Sequence, residues 1–121
     1  MNELNGLIVD KQGNKRWYKN GKLYREDGPA VVFVGGTKYW LRHDLCHRED
    51  GPAIEYADGS VEWYKNDKLH RDDGPAVVWP DGNKWWYKNG ELHREDGPAI
   101  VRANGDRVYV INGKFIRSEE A

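Results

Sequence analysis

The sequence predicts an all-β fold in which tandem 23-residue β-hairpin repeats form an elongated, twisted antiparallel sheet. Three observations carry that prediction. Gly-Pro-Ala begins at Gly28, Gly51, Gly74 and Gly97, so every interval is 23 residues, and the same ruler carries Trp17, Trp40, Trp63, Trp86 and Tyr109. Asn-Gly pairs lie between short alternating segments, where a type I′ turn needs positive φ at both central positions. No stretch sustains a 3.6-residue apolar period, and Trp, Tyr, Val and Ile favour strands, so almost no helix is expected.

Taken in chain order, a partial unit at about 1–15 precedes full units at about 16–38, 39–61, 62–84 and 85–107, and a partial unit follows at about 108–121. Together they read as a single β-repeat domain over residues 1–121. Leu7 to Lys15 matches the second half of a unit and Val108 to Arg117 the first half, so the fragments read as caps that finish an array with polar surface. Each full unit opens with a strand at its Trp, turns at Asn20-Gly21 or its counterpart, and returns in a short strand. The segment Arg, acid, Asp, Gly, Pro, Ala then breaks the ladder, because Pro has no donor and restricts the residue before it. A third strand follows. A second tight turn at Gly35-Gly36, Asp58-Gly59, Asp81-Gly82 or Asn104-Gly105 leads on to the next Trp or, last, to Tyr109.

Two-residue loops at both turns set the register. Tyr18 then opposes Leu23, Trp17 opposes Tyr24, Trp63 opposes His70, Val31 opposes Trp40 and Ala30 opposes Leu41. One face carries a Trp, Val/Ile and His ladder and the other a Tyr/Leu, Leu and Ala ladder. Cross-strand pairs contribute roughly 0.2 to 1 kcal/mol each, so many repeated pairs share the stabilisation. A compact two-sheet sandwich is the competing architecture.

The string from Trp86 through Tyr87, Lys88, Asn89, Gly90, Glu91 and Leu92 to His93, followed by Asp96-Gly97-Pro98-Ala99 and Asn104-Gly105, resembles the MORN repeat in its bacterial and viral form. The resemblance runs from about Leu7 to Arg117. It implies an array of hairpins in one long antiparallel sheet, and an interaction role such as that of antitoxin-like arrays in bacteria and phage. Gly-Pro-Ala stands where the standard pattern has a Gly-x-Gly pair, so the lipid binding and partners of the eukaryotic proteins are not carried over.

Composition narrows the function classes. The chain has 121 residues, 19 Lys+Arg against 20 Asp+Glu, and 38% hydrophobic residues in short runs, so neither a transmembrane helix nor a signal peptide is expected. One cysteine, Cys46, cannot form an internal disulfide, and a reducing, cytoplasmic setting is the default. No cofactor, metal or catalytic group is expected. His47, His70 and His93 share one repeat position, which Tyr24 fills in the first copy, and equivalent residues two strands apart lie too far from each other to share an ion. The cluster His43, Asp44, Cys46 and His47 reads as drift of an Asn-Gly turn. The Arg-acid-Asp-Gly-Pro-Ala motif, present in four copies, has a structural job.

The expected activity is non-catalytic protein binding, by presentation of an aromatic and basic surface to a protein partner such as a toxin or defence enzyme. Tyr18, Tyr64, Tyr87, Trp79 and Trp85, with Lys19, Arg42, Lys65 and Lys88, are the expected contacts. Trp17, Trp40, Trp63, Trp86 and Tyr109, with Gly28, Gly51, Gly74 and Gly97, are the expected scaffold. Sheet edges also offer homodimer pairing. The alternative is a nucleic-acid-binding sheet that uses the Lys/Arg and Trp/Tyr stripe, which the near-zero net charge disfavours.

Overall fold

Two kinds of tight turn generate the chain path in the computed structural model, which describes residues 4–121; the first three residues of the expected 1–15 fragment lie outside the described residues. Asn20, Asn89 and Asn112 have φ of 51°, 50° and 47°, each followed by a glycine of positive φ, as two-residue I′ loops require. His43-Asp44 and Asn66-Asp67 take the same geometry without glycine, at φ of 52°, 66°, 47° and 71°. Aspartate is among the few residues that tolerate this region. Both aspartates also hold the preceding unit: Asp44 Oδ1 accepts the Leu23 N–H at 2.7 Å and Asp67 Oδ1 the Cys46 N–H at 3.1 Å.

The second turn contains three residues, and this corrects the register expected from sequence. Phe33 N–H donates to the Thr37 carbonyl at 2.9 Å, and Tyr56 to Ser60, Trp79 to Asn83 and Arg102 to Asp106 do likewise at 2.9, 3.0 and 2.9 Å. The glycine before each closing residue has positive φ, the arrangement of a type I turn followed by a glycine bulge. Val31 therefore opposes Tyr39, and Val32 opposes Lys38. The expected pairs Val31 with Trp40 and Ala30 with Leu41 do not form, because a one-residue slip exchanges the two faces. The first turn does give the expected pair of Tyr18 with Leu23.

The strands are short and antiparallel. β1 (Gly6–Val9) and β2 (Lys15–Lys19) form a hairpin, and β3 (Lys22–Leu23) returns on β2. Then come β4 (Val31–Val32), β5 (Lys38–Tyr39), β6 (Leu41–Arg42) and β7 (Leu45–Cys46). The next unit supplies β8 (Ile54–Glu55), β9 (Val61–Glu62), β10 (Tyr64–Lys65) and β11 (Lys68–Leu69). The one after supplies β12 (Val77–Val78), β13 (Lys84–Trp85), β14 (Tyr87–Lys88) and β15 (Glu91–Leu92), before β16 (Ile100–Val101), β17 (Arg107–Ile111) and β18 (Lys114–Glu119). The fold is all-β, with an open 12-stranded sheet in the order β1-β2-β4-β5-β8-β9-β12-β13-β16-β17-β18 and β3 beside β2. The hairpins β6-β7, β10-β11 and β14-β15 stand off it as separate two-stranded ribbons. No helix of the described residues is long and apolar enough to cross a membrane.

The tryptophan is the corner between sheet and ribbon. Trp17, Trp40, Trp63 and Trp86 donate their N–H groups to Ala30, Ala53, Ala76 and Ala99 at 2.7 to 2.8 Å. Those four alanines are wholly buried, beside Val31, Ile54, Val77 and Ile100 at 3 to 7% exposure. Consecutive ribbons are also tied by main chain, as Asp67 N–H to Cys46 at 2.8 Å and Gly90 N–H to Leu69 at 2.8 Å. Each unit is thus stabilised by its neighbours, the energetics of a repeat array.

Asp67→Ala is expected to lower stability by roughly 1 to 3 kcal/mol, from left-handed strain plus a lost hydrogen bond. Asp67→Gly keeps only the second cost and should recover about half. Urea unfolding of both variants checks this, and equal losses would contradict the account of the turn.

Candidate functional site

The repeated motif resolves into one device. In every unit an arginine guanidinium lies over an aromatic ring: Arg25, Arg48, Arg71 and Arg94 sit 3.8, 3.9, 3.9 and 4.1 Å from the ring centres of Trp17, Trp40, Trp63 and Trp86, and Arg117 sits 4.0 Å from that of Tyr109. Arg71 Nε donates to Asp73 Oδ1 at 3.1 Å and its terminal nitrogen to the Pro75 carbonyl at 3.2 Å. The same pair of bonds recurs at Arg25, Arg48 and Arg94. On the other side the glycine leaves room for the guanidinium: a Cβ at Gly51, Gly74 or Gly97 would stand 2.7 to 2.8 Å from its Cζ. Arg, Asp, Gly and Pro are therefore required together, and the expected scaffold role of the glycines lies in close approach.

The histidines join one unit to the next. His47, His70 and His93 accept at Nδ1 the main-chain N–H of Asn66, Asn89 and Asn112 at 3.1, 3.0 and 2.9 Å. That acceptance puts the proton of a neutral ring on Nε2, which faces Glu49, Asp72 or Glu95 at 3.6, 3.0 or 3.3 Å. Where Tyr24 replaces histidine, its ring packs on His43 at 4.8 Å and its hydroxyl donates to Glu26 at 2.6 Å. The group His43, Asp44, Cys46 and His47 does not converge, since each has its own partner. Burial first, and then Asp67, push the Cys46 thiol up to about 11.

The cations and the aromatics expected at one surface fall on two. Lys19, Arg42, Lys65 and Lys88 directly follow Tyr18, Leu41, Tyr64 and Tyr87 in their strands, and adjacent strand residues point to opposite faces. All four are exposed. Arg42, Lys65 and Lys88 line grooves between successive arginine loops, together with Glu26 and Asp50, Asp72 and Asp73, or Glu95 and Asp96. The rim carboxylates remain 77% (Asp72) to 89% (Asp50) exposed. This face alternates in sign along its length.

The other face carries a row in which half-buried Tyr39, Glu62 and Trp85 alternate with the buried aliphatic residues Ile54, Val77 and Ile100. Tyr39, Ile54, Glu62, Val77, Trp85 and Ile100 stand directly opposite one another in successive strands. Trp85 meets Trp79 edge-on at 5.1 Å and Tyr87 in a stacked arrangement at 6.4 Å, so three of the expected contacts form one cluster. Tyr64, in the β10-β11 ribbon, reaches the row by its hydroxyl on Glu62, while Tyr18 lies in β2 two units earlier, with Leu41 at the repeat position between them. The sequence reading missed Phe33, Tyr39, Tyr56 and Glu62. Phe33 and Tyr39 meet edge-on at 5.8 Å, and Glu62 Oε1 accepts the hydroxyls of Tyr56 at 3.2 Å and Tyr64 at 2.9 Å. The signal was available in the 23-residue ruler, since these residues occupy the positions of Trp79 and Trp85, where the units differ most.

No protein-family model matches this chain, and no curated protein matches it.

A double-mutant cycle tests the arginine clamp. Gly74→Ala is expected to cost about 1 to 2 kcal/mol, because the new Cβ displaces the Arg71 guanidinium from Trp63. In an Arg71→Ala background the same change should be neutral or stabilising, since alanine restricts the unfolded chain more than glycine. Additive losses in thermal unfolding would show that the glycine serves some other purpose.

Proposed function

We propose that this protein is a non-catalytic binding module that presents the aromatic row to a protein partner. The observation that carries the reading is the Trp79–Trp85–Tyr87 cluster, three large rings in contact on one sheet face and each only half-buried. Partly exposed aromatic groups of this size supply much of the affinity at protein interfaces. The contrast between faces supports it: the clamp face repeats one set of residues, while the row changes from Phe33 and Tyr39 to Tyr56 and Glu62 to Trp79 and Trp85. Variation of that kind suits recognition of an irregular protein surface. The MORN resemblance points the same way, towards an interaction role, and its antitoxin-like members suggest a toxin or a defence enzyme as the partner class.

The chemistry of the titratable groups supports a role without catalysis. Each repeat histidine spends Nδ1 on the next turn and aims Nε2 at an acid, and the Cys46 thiol is held protonated by burial and Asp67. The nucleic-acid reading is weaker because the cations sit among carboxylates on the face away from the aromatic row.

Affinity capture from the native host, with wild-type protein beside Trp85→Ala/Tyr87→Ala and Lys65→Glu/Lys88→Glu variants, separates the two. The aromatic pair should reduce capture of a specific protein by at least about 30-fold, the order expected for a lost hot spot of about 2 kcal/mol. The charge pair should leave capture within about threefold. Capture undiminished by the aromatic pair would sink this footprint. Nucleic-acid binding that falls steeply between 50 and 200 mM salt and is lost in the charge pair would favour the second reading.

A further inference from the structure

We propose that Glu62, with Tyr56 and Tyr64 on one side and Trp85 and Tyr87 on the other, receives a cationic side chain, the lysine or arginine of the bound protein. The inference rests on the aromatic row being the contact surface and adds what that surface selects. Glu62 is a carboxylate that stands between Ile54 and Val77 across the sheet and is bonded by two tyrosine hydroxyls, and among the described residues no lysine, arginine or histidine lies within ion-pair distance of it. Its two partners, the hydroxyls of Tyr56 and Tyr64, are neutral donors that bond a single oxygen, Oε1.

The same repeat position elsewhere shows how the chain treats a charge it means to neutralise. Arg16 stands one unit before Tyr39 and two before Glu62, and it is matched by Asp10 at 3.1 Å. At the Tyr56–Glu62 position the residue facing the charge is a phenol instead. The negative field is felt across the group: burial first, and then the Glu62 charge, push Tyr56 up to about 12 and raise Tyr64 and Tyr87 as well.

Geometry suits one cationic head group. Glu62 and Trp85 lie on the same face on either side of Val77, one strand apart from it in each direction. At roughly 4.8 Å per strand their backbones are about 10 Å apart. Val77 between them is only 3% exposed, so an ammonium or guanidinium sits over the Glu62 and Trp85 side chains and not against the sheet, and a cation within about 6 Å of the ring centre is attracted to the aromatic face. The opposite face already contains the complete form of this chemistry, where Arg71 lies 3.9 Å above Trp63 with Asp73 on its Nε. On the aromatic row the carboxylate and the rings are present and the cation is left for a partner to provide.

The test uses the intact 15N-labelled protein and three small probes: N-acetyl-lysine methylamide, N-acetyl-arginine methylamide and the neutral N-acetyl-norleucine methylamide. The two cations are expected to shift the Trp85 indole and the amides of Glu62 to Tyr64 saturably at millimolar concentration, at least about fivefold more tightly than norleucine. Glu62→Gln retains an acceptor for the tyrosine hydroxyls and should bring the cations down to the norleucine level. If that variant fails to fold, Trp85→Leu serves, with affinity expected to fall for the cations and not for norleucine. Equal binding of all three probes, binding that survives Glu62→Gln, or no shift with either cation would overturn the proposal. Equal binding would still leave the row as an apolar contact surface, whereas undiminished protein capture by the Trp85/Tyr87 variant would remove the surface itself.

Discussion

A guanidinium pressed between an indole and a backbone sets the form of every unit. The ring lies under Arg71 at 3.9 Å, Asp73 and the Pro75 carbonyl fix its edge, and Gly74 lets the loop close over it. Desolvated stacking of this kind is worth about 0.5 to 2 kcal/mol, and the arginine side chains are only 23 to 27% exposed. The clamp also determines direction. With the loop anchored to the Trp corner, the wholly buried alanine that follows is delivered to the N–H of that same Trp. A motif that in sequence looks like a string of charges with a bend is therefore packing, with each charged residue committed to a neighbour in its own unit.

Much of the fold was legible because its turns are local. Asn-Gly between alternating residues specifies a two-residue loop, and Tyr18 opposite Leu23 followed directly. The second turn was misread because a glycine of positive φ serves both a two-residue loop and a three-residue loop with a bulge. The deciding residue stood one position earlier. Pro80 presets the φ of the first central position of a type I turn, and Asp81, unlike Asp44 and Asp67, does not take positive φ. Weighed in that way, Pro80-Asp81-Gly82 reads as three residues and the register shift disappears. The stacking of Arg on Trp, by contrast, depends on how a bent loop folds back, which strand alternation cannot supply.

The candidate surface was only half legible for a related reason. Trp79 and Trp85 stand out by residue type, and alternation correctly separates Tyr87 from Lys88 once the strand is known. Phe33, Tyr39, Tyr56 and Glu62 do not stand out individually, and their importance comes from sharing a row. Apart from the tyrosine at the Tyr18, Tyr64 and Tyr87 position, residues that repeat identically are mostly those committed to the clamp and to the His–Asn ties between units. Residues that change from unit to unit, Phe33 with Tyr39, Tyr56 with Glu62 and Trp79 with Trp85, meet one another as matched pairs, so each pair can vary without disturbing the clamp.

The ties between units carry a kinetic consequence. Bonds such as Asp44 to Leu23, Asn14 to Val34 and His47 to Asn66 join residues only 19 to 21 apart, although the sheet runs the length of the described chain. Each new unit closes a short loop onto one already formed, at an entropic cost that does not grow as the sheet lengthens. A large antiparallel sheet would ordinarily be assembled slowly from distant partners, but the side-chain ties here span no more than 21 residues. An array tied in this way allows formation to begin at any unit and to spread to its neighbours.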